Sequence, residues 1–205
     1  MSRAQTERGL ACDALLEVGP DADTLCDGWT AHQLAAHLWI RENEFINMLG
    51  FAVSALADRT NARMARLQAQ LSFAELVHQI RKGPPRFSLF GLADEGLNAM
   101  EYLIHGLDVR RPAGLSEPGR DPGFDDWAWS RVKPMAEFMI RRPPVGLVFE
   151  RAGRSDDVVR VGAGDRIVTV VGAPVELLLY IWGRRDAAEV ELVGVESAIE
   201  ALNQR

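Results

Sequence analysis

The spacing of apolar residues changes once along the chain, and this change constrains the fold more than any other sequence feature. Up to about residue 111, apolar side chains recur at helical spacing, as in the stripe formed by Leu10, Ala14, Leu15 and Val18. Beyond about residue 144 the period becomes two, in three runs rich in β-branched residues: Val145–Phe149, Val158–Val161 and Ile167–Val171. The sequence therefore predicts a mainly α protein in which a helical part precedes a small α+β part.

Start and stop signals divide the first part into several helices. Thr30 with Gln33, and Ser72 with Glu75, have the spacing of capping boxes, in which the two side chains bind the backbone N–H groups of a helix start. The predicted helices are one ending at Gly19-Pro20, one from Thr30 to about Ala57, Asn61–Gln70, one from Ser72 to Gly83, and one from about Ala93 to just before Arg111-Pro112. Because the connections are short, these helices are expected to form an antiparallel bundle.

The composition shifts after residue 114 and indicates a domain boundary. Residues 1–114 are assigned to the helical bundle, and Glu117–Gly123, with two Pro and two Gly, to a linker. A helix over 124–141 is a candidate for the final helix of the bundle. Residues 145–205 are predicted to form a small α+β domain, in which Gly162-Ala-Gly164 is interpreted as a hairpin turn between two strands.

Charge and composition exclude several classes of function. The net charge of −6 provides no positive field that would attract nucleic acid or an anionic membrane. The longest uncharged stretch, Phe45–Ala57, is well short of the roughly 20 residues needed to span a bilayer. Two cysteines are too few for a disulfide scaffold. We therefore expect a soluble cytoplasmic protein without a nucleic-acid or membrane partner. Its expected state of assembly is a monomer or a homodimer.

Two of the predicted helices carry chemically active side chains among apolar residues. On the helix that ends before Arg111, Glu101 and His105 are four residues apart and so share one face with Asp108. On the helix that begins at Thr30, His37 lies within the apolar stripe and Arg41 lies at its edge. Two imidazoles and a carboxylate are a ligand set found at catalytic Zn²⁺ sites, where one coordination position stays open, although other divalent ions accept the same set.

Spacing alone leaves other interpretations open. A histidine on an apolar face is often an ordinary core residue, and Asp108 can form an ion pair at the end of its helix instead of orienting a ligand imidazole. If the site is structural, Asp94 or Asp108 is the candidate fourth ligand. Cys26 is predicted to serve loop packing, with no base beside it. Two further histidines, His32 and His78, are predicted to take no part in the site.

Two runs resemble a known family when they are taken together. Leu25-Cys-Asp-Gly-Trp-Thr-Ala-His-Gln-Leu-Ala-Ala-His-Leu and Asn98-Ala-Met-Glu-Tyr-Leu-Ile-His-Gly-Leu-Asp-Val-Arg-Arg are similar to motifs of the mycothiol-dependent maleylpyruvate isomerase family, within the DinB-like metal-binding superfamily. The later run Gly172-Ala-Pro-Val-Glu-Leu-Leu-Leu-Tyr-Ile-Trp-Gly-Arg resembles part of that family's appended domain. The resemblance implies a DinB-like antiparallel four-helix bundle followed by a small α+β C-terminal domain.

The resemblance also implies a site and an activity. A divalent metal, usually zinc, would be held by His37, Glu101 and His105, and a low-molecular-weight thiol such as mycothiol would act as cofactor on a small electrophile, by thiol transfer or cis–trans isomerisation. Arg41 is predicted to hold an anionic substrate or to neutralise Glu101, and Asp108 to orient a ligand imidazole. The alternatives are a non-catalytic metal-binding or small-ligand-binding regulatory protein, and a metal-free bundle descended from an enzyme.

Overall fold

The structure, a computed structural model, describes residues 2–44, 47, 50, 54–85 and 94–204, and for Ser54 and residues 94–97 only the backbone. Within this part of the chain the residues group into two compact units, Met1–Pro118 and Gly119–Arg205. The first unit is helical and the second combines helices with a sheet, so the predicted fold class is confirmed. No helix of the described residues has the length and apolar character needed to cross a membrane.

The first unit contains helices whose ends follow the predicted signals. They are α1 (Arg3–Val18), α2 (Ala31–Asn43), α3 (Ala57–Gln70), α4 (Phe73–Lys82) and α5 (Asp94–Arg110), with a short 3₁₀ helix at Ser54–Leu56. The capping boxes at Thr30 and Ser72 are both formed, and a third is formed at Ser2. The glycine predicted to end α4, Gly83, adopts φ 81°, which a glycine reaches without the steric cost that a Cβ imposes.

One helix is shorter than predicted. The helix that begins after Thr30 ends at Asn43, and the prediction that it continues to Ala57 is wrong, because Glu44 leaves the helical region at φ −133° and ψ 76°. The carboxylate of Glu44 instead binds the guanidinium of Arg63 on α3, at 2.5 Å from Nη2. The predicted apolar position Phe45 and the helix start at Ala93 lie outside the described residues.

The helices of the first unit enclose one apolar core. Helix α1 packs mainly on α5, and α4 packs on both α1 and α2. The core includes fully buried side chains from four helices, among them Leu15, Leu34, Leu76 and Tyr102. Trp29, which precedes the cap of α2, is partly buried against this core. This packing places one face of α2 close to one face of α5.

The second unit begins with a helix and contains a mixed four-stranded sheet. Its elements are α6 (Phe124–Met139), β1 (Gly146–Arg151), β2 (Arg154–Val161), β3 (Ile167–Gly172), α7 (Pro174–Ile181), β4 (Val190–Gly194) and α8 (Glu196–Asn203). Helix α6, for which a place in the bundle was considered, is grouped with this second unit, where it packs on α7 and β2.

The order of the strands corrects one prediction. The sheet has the order β2-β1-β3-β4, with β1 antiparallel to β2 and parallel to β3. Because β1 lies between β2 and β3, the segment Gly162-Ala-Gly164 is not a hairpin turn but part of a connection that passes β1. Gly162 has φ 79°, and a Cβ there would lie 2.5 Å from Cγ of Pro143, so this position requires glycine.

Candidate metal centre

Helices α2 and α5 bring His37, Glu101 and His105 together, and we call these three residues the histidine cluster. Oε1 of Glu101 lies 3.4 Å from Nε2 of His37 and 3.3 Å from Nε2 of His105. The two imidazole rings are 5.1 Å apart between centroids and nearly perpendicular, at 72°. Both histidines are more than nine-tenths buried. Three groups that can donate a lone pair to a cation therefore face one point in the core.

The spacing of these atoms matches the coordination of a small divalent ion. The three ligand atoms all lie within 4.8 Å of one another. For bonds of about 2.0–2.1 Å to nitrogen and oxygen, the edges of a tetrahedron are about 3.3–3.4 Å long. The two nitrogen–oxygen separations in the histidine cluster, 3.4 and 3.3 Å, have this length. The residues present therefore fit a divalent ion of the kind that the sequence predicts.

The charge state of the cluster also suits a cation. Burial acts to raise the pKa of Glu101, but hydrogen bonds with His105 and His37 and the positive charge of Arg41 outweigh it, so this pKa lies well below the usual range. Burial lowers the pKa of His37, and the hydrogen bond to Glu101 offsets only part of that effect. An ionised carboxylate and a neutral imidazole are the forms that bind a metal ion.

Arg41 lies beside the histidine cluster on α2. Its Nε is 3.2 Å from Oε1 of Glu101, and its Nη1 donates a hydrogen bond to Oδ1 of the buried Asn98. The contact with Glu101 is one of the two roles predicted for this residue, and a role in holding an anionic substrate stays a prediction. Asn98 was not singled out from the sequence, although it lies in the same motif as Glu101 and fixes the position of Arg41.

Asp108 lies on the far side of the His105 ring. Its Oδ2 is 2.8 Å from Nδ1 of His105, and its side chain is fully buried. In the neutral form of the ring, an acceptor at Nδ1 keeps the single proton on that nitrogen and leaves the lone pair of Nε2 directed at Glu101. Burial lowers the pKa of His105, but the hydrogen bonds with Asp108, Cys26 and Glu101 prevail and place this pKa well above its usual range. The surroundings of this ring thus favour a positive charge.

Cys26 lies next to His105 and Asp108, a contact that its position in the sequence does not reveal. Its Sγ is 3.2 Å from Oδ2 of Asp108 and 3.8 Å from Nδ1 of His105, so the expectation that Cys26 has no base beside it is wrong. The loop before α2 reaches this point because the backbone N–H of Leu25 donates to the carbonyl of Asp108, at 3.0 Å. The only signal in the sequence is that Cys26 lies in the same motif as His37.

The other candidate residues lie away from the histidine cluster, or their side chains are not among the described ones. The ring of His32 contacts Phe73 edge-on, with centroids 5.5 Å apart, and His78 is exposed on α4. The side chain of Asp94, considered as a fourth ligand, lies outside the described residues.

Comparison with known proteins identifies the fold. No protein-family model matches the chain, and no curated protein matches it. Two crystal structures are similar, one of the mycothiol-dependent maleylpyruvate isomerase and one of a histidine-to-alanine mutant of it. The mutant gives a TM-score of 0.61 at 14% identity and the other structure 0.60 at 15%, each covering 93% of this chain and 90% of that chain. The chain therefore has the fold of this isomerase, in agreement with the resemblance of its motifs.

Proposed function

We propose that this protein is a divalent-metal-dependent enzyme that uses a low-molecular-weight thiol on a small electrophile, by thiol transfer or by cis–trans isomerisation. The observation that carries the proposal is the convergence of Nε2 of His37, Oε1 of Glu101 and Nε2 of His105 within 4.8 Å inside a fold shared with a mycothiol-dependent isomerase. Three protein ligands leave a tetrahedral ion one open position, as catalytic zinc sites do. Zn²⁺ is the ion proposed, and mycothiol or a similar thiol is the cofactor.

The residues around the cluster have separate tasks in this proposal. A bound divalent ion would lower the pKa of a thiol and so supply a nucleophilic thiolate at neutral pH. Glu101 provides the negative charge that offsets part of the charge of the ion, and Arg41 holds that carboxylate ionised and in place. Asp108 orients His105 through Nδ1, at 2.8 Å. Arg41 also supplies a positive charge at the edge of the cluster, where an anionic electrophile such as maleylpyruvate would be held.

A spectroscopic experiment tests the binding of the thiol. Because Cys26 is itself a thiol near the cluster, the experiment uses the Cys26→Ser variant, loaded with Co²⁺. Adding the reduced thiol is expected to produce a sulfur-to-cobalt charge-transfer band, and removing Glu101 (Glu101→Ala) is expected to abolish it. If a saturating concentration of thiol changes the spectrum of neither variant, the thiol does not bind at the metal and the proposal is wrong.

An activity measurement tests the second part of the proposal. The zinc-loaded protein with mycothiol is expected to isomerise maleylpyruvate or to consume the thiol in the presence of other small electrophiles with an activated double bond. The exposed residue His78 offers a matched control, because His78→Ala removes an imidazole outside the cluster and is expected to keep full activity. A protein that binds metal and thiol but turns over none of these electrophiles would contradict the catalytic assignment.

A further inference from the structure

The imidazole of His105 has potential metal ligands at both of its nitrogens. Nε2 faces Glu101 and His37 in the histidine cluster, at 3.3 Å from Oε1 of Glu101. Nδ1 faces a second group, formed by Asp108 at 2.8 Å and Cys26 at 3.8 Å. The atoms Sγ of Cys26, Nδ1 of His105 and Oδ2 of Asp108 also lie within 4.8 Å of one another. We call these three residues the cysteine cluster.

We propose that the cysteine cluster is a second metal position, selective for soft divalent ions such as Cd²⁺, and that an ion bound there excludes an ion from the histidine cluster. The position itself rests only on the three residues that form it. The exclusion rests in addition on the proposed function, because it requires the histidine cluster to be a metal site.

The separations of the three atoms are compatible with one ion between them. With the bond lengths of Zn²⁺, about 2.3 Å to sulfur and about 2.0–2.1 Å to nitrogen and oxygen, a tetrahedral ion places sulfur about 3.5 Å from the other two ligands, and the larger Cd²⁺ needs somewhat wider spacing. Sγ of Cys26 lies 3.2 Å from Oδ2 of Asp108 and 3.8 Å from Nδ1 of His105. The nitrogen–oxygen pair is hydrogen-bonded at 2.8 Å and must open by about half an ångström.

Charge and burial favour an ion at this point. Asp108 is fully buried and His105 is 6% exposed, whereas Cys26 is only partly buried and gives access from the loop side. On binding an ion, the thiol of Cys26 loses its proton, so a thiolate and a carboxylate together balance a 2+ charge. Buried charges are tolerated when they are compensated in this way.

The ligand types make the cysteine cluster softer than the histidine cluster. A thiolate favours soft ions such as Cd²⁺ most strongly, whereas imidazole and carboxylate ligands suit the borderline ion Zn²⁺ and also accept harder ions such as Mn²⁺. The two clusters are therefore expected to differ in which ions they bind, although they share the imidazole ring of His105.

A neutral imidazole has one lone pair, and this makes the two positions mutually exclusive. When Nδ1 keeps its proton and donates a hydrogen bond to Asp108, the lone pair is on Nε2 and is available to the histidine cluster. When Nδ1 binds an ion, the proton moves to Nε2, where it faces Oε1 of Glu101 and blocks the first position. A soft ion at the cysteine cluster would thus prevent a metal ion from binding at the histidine cluster, without contacting His37 or Glu101.

Cadmium binding in matched variants tests the proposal. His37→Ala removes a ligand of the histidine cluster only, Cys26→Ser removes a ligand of the cysteine cluster only, and Cys12→Ala removes the other thiol of the chain, which is fully buried. The sulfur-to-cadmium charge-transfer band in the ultraviolet is expected with about one Cd²⁺ per chain in the native protein, in His37→Ala and in Cys12→Ala. In Cys26→Ser the band is expected to disappear and Cd²⁺ affinity to fall more than about 10-fold. A band that persists in Cys26→Ser, or is absent from both the native protein and His37→Ala, overturns the second position.

A competition experiment tests the exclusion. The Co²⁺-loaded native protein is expected to release its Co²⁺ as the cadmium–sulfur band grows, so that the sum of the two metals stays near one per chain. Two metals per chain would overturn the exclusion. In the Cys26→Ser background, Co²⁺ bound equally with and without His37→Ala or Glu101→Ala would refute the histidine cluster instead. The cadmium band of the proteins that keep Cys26 would still report on the second position.

Discussion

Two buried polar groups lie side by side in the helical unit and differ in how their charges are compensated. Arg8 on α1 and Glu42 on α2 form an ion pair at 2.7 Å with side chains 4% and 2% exposed, and the guanidinium lies 4.7 Å from the ring centroid of Tyr102. The histidine cluster uses the neighbouring position on α5, Glu101. Glu101 and Tyr102, which are adjacent on α5, thus belong to two different buried polar groups.

The two groups differ in whether their side chains neutralise one another or leave room for a bound cation. In the Arg8–Glu42 pair one cation meets one anion, and no lone pair is directed at a common point. In the histidine cluster two imidazoles and a carboxylate converge, and the surroundings favour a positive charge. A buried ion pair holds helices in a defined arrangement, whereas converging donors cost stability unless a cation is supplied. We therefore expect the pair to control folding and the cluster to control metal binding.

Removing a ligand of the histidine cluster is expected to have the largest effect on metal binding. In the Cys26→Ser background, which excludes the cysteine cluster, His37→Ala, Glu101→Ala and His105→Ala should each lower the bound metal from about one per chain to background, because two ligands hold a divalent ion poorly. Elemental analysis after gel filtration measures this. The same analysis of His78→Ala should show full occupancy, and equal occupancy in all four proteins would refute the ligand assignment.

Breaking the Arg8–Glu42 pair is expected to have the largest effect on stability. Glu42→Ala takes the carboxylate away from a buried guanidinium, which costs about 3–5 kcal/mol of the free energy of unfolding. Urea unfolding measures the loss. The double variant Arg8→Met with Glu42→Leu removes both charges and should cost much less. Metal content should stay unchanged in the double variant, and a parallel loss of metal would contradict the separation of the two groups.

Changing Asp108 is expected to have a smaller effect on the metal. In the Cys26→Ser background, Asp108→Asn keeps the shape of the side chain but removes the charge that orients His105, so Co²⁺ affinity in a chelator competition should fall about 10–100-fold. Asp13→Asn changes an exposed aspartate that pairs with Arg81 and is the control. An unchanged affinity in Asp108→Asn would show that the charge of Asp108 does not support His105 as a metal ligand.

The smallest expected effect is a difference in alkylation rate between the two cysteines. It can be measured in the native protein without any mutation. Cys12 is fully buried near the Arg8–Glu42 pair, and burial raises the pKa of its thiol to about 11. Cys26 is partly buried, in the cysteine cluster. At pH 8 iodoacetamide should modify Cys26 in the folded protein and reach Cys12 only after unfolding, as peptide mass spectrometry will show. Equal rates would contradict the burial of Cys12.

Features that depend on local sequence were predicted well. The capping boxes at Thr30 and Ser72 and the stop at Gly83 were found because each involves residues within one or two helical turns. The side-by-side placement of Glu101 and His105 was found for the same reason, since both lie on α5. The meeting of His37 with this pair needed the resemblance to known motifs, because spacing alone does not say which faces of two helices pack together.

Features that depend on distant contacts were missed. Gly162-Ala-Gly164 has the composition of a hairpin turn, but turn residues do not reveal that β1 will separate β2 from β3. The end of α2 at Asn43 is coupled to the pairing of Glu44 with Arg63, nineteen positions further on. Cys26 reaches Asp108 only through the path of a loop, which no periodicity describes.

The loop that carries Cys26 is held at several points along its length. Its backbone forms a bridge between Asp23 and Thr30, the N–H of Ala31 donates to the carbonyl of Ala22 at 2.8 Å, and Leu25 is bound to the end of α5. Surface loops usually accept added residues at little cost. Here even a single inserted residue would shift the thiol relative to the carboxylate it contacts, so a tag or a fused domain placed between Ala22 and Thr30 would change the metal preference of the protein before it changed the fold.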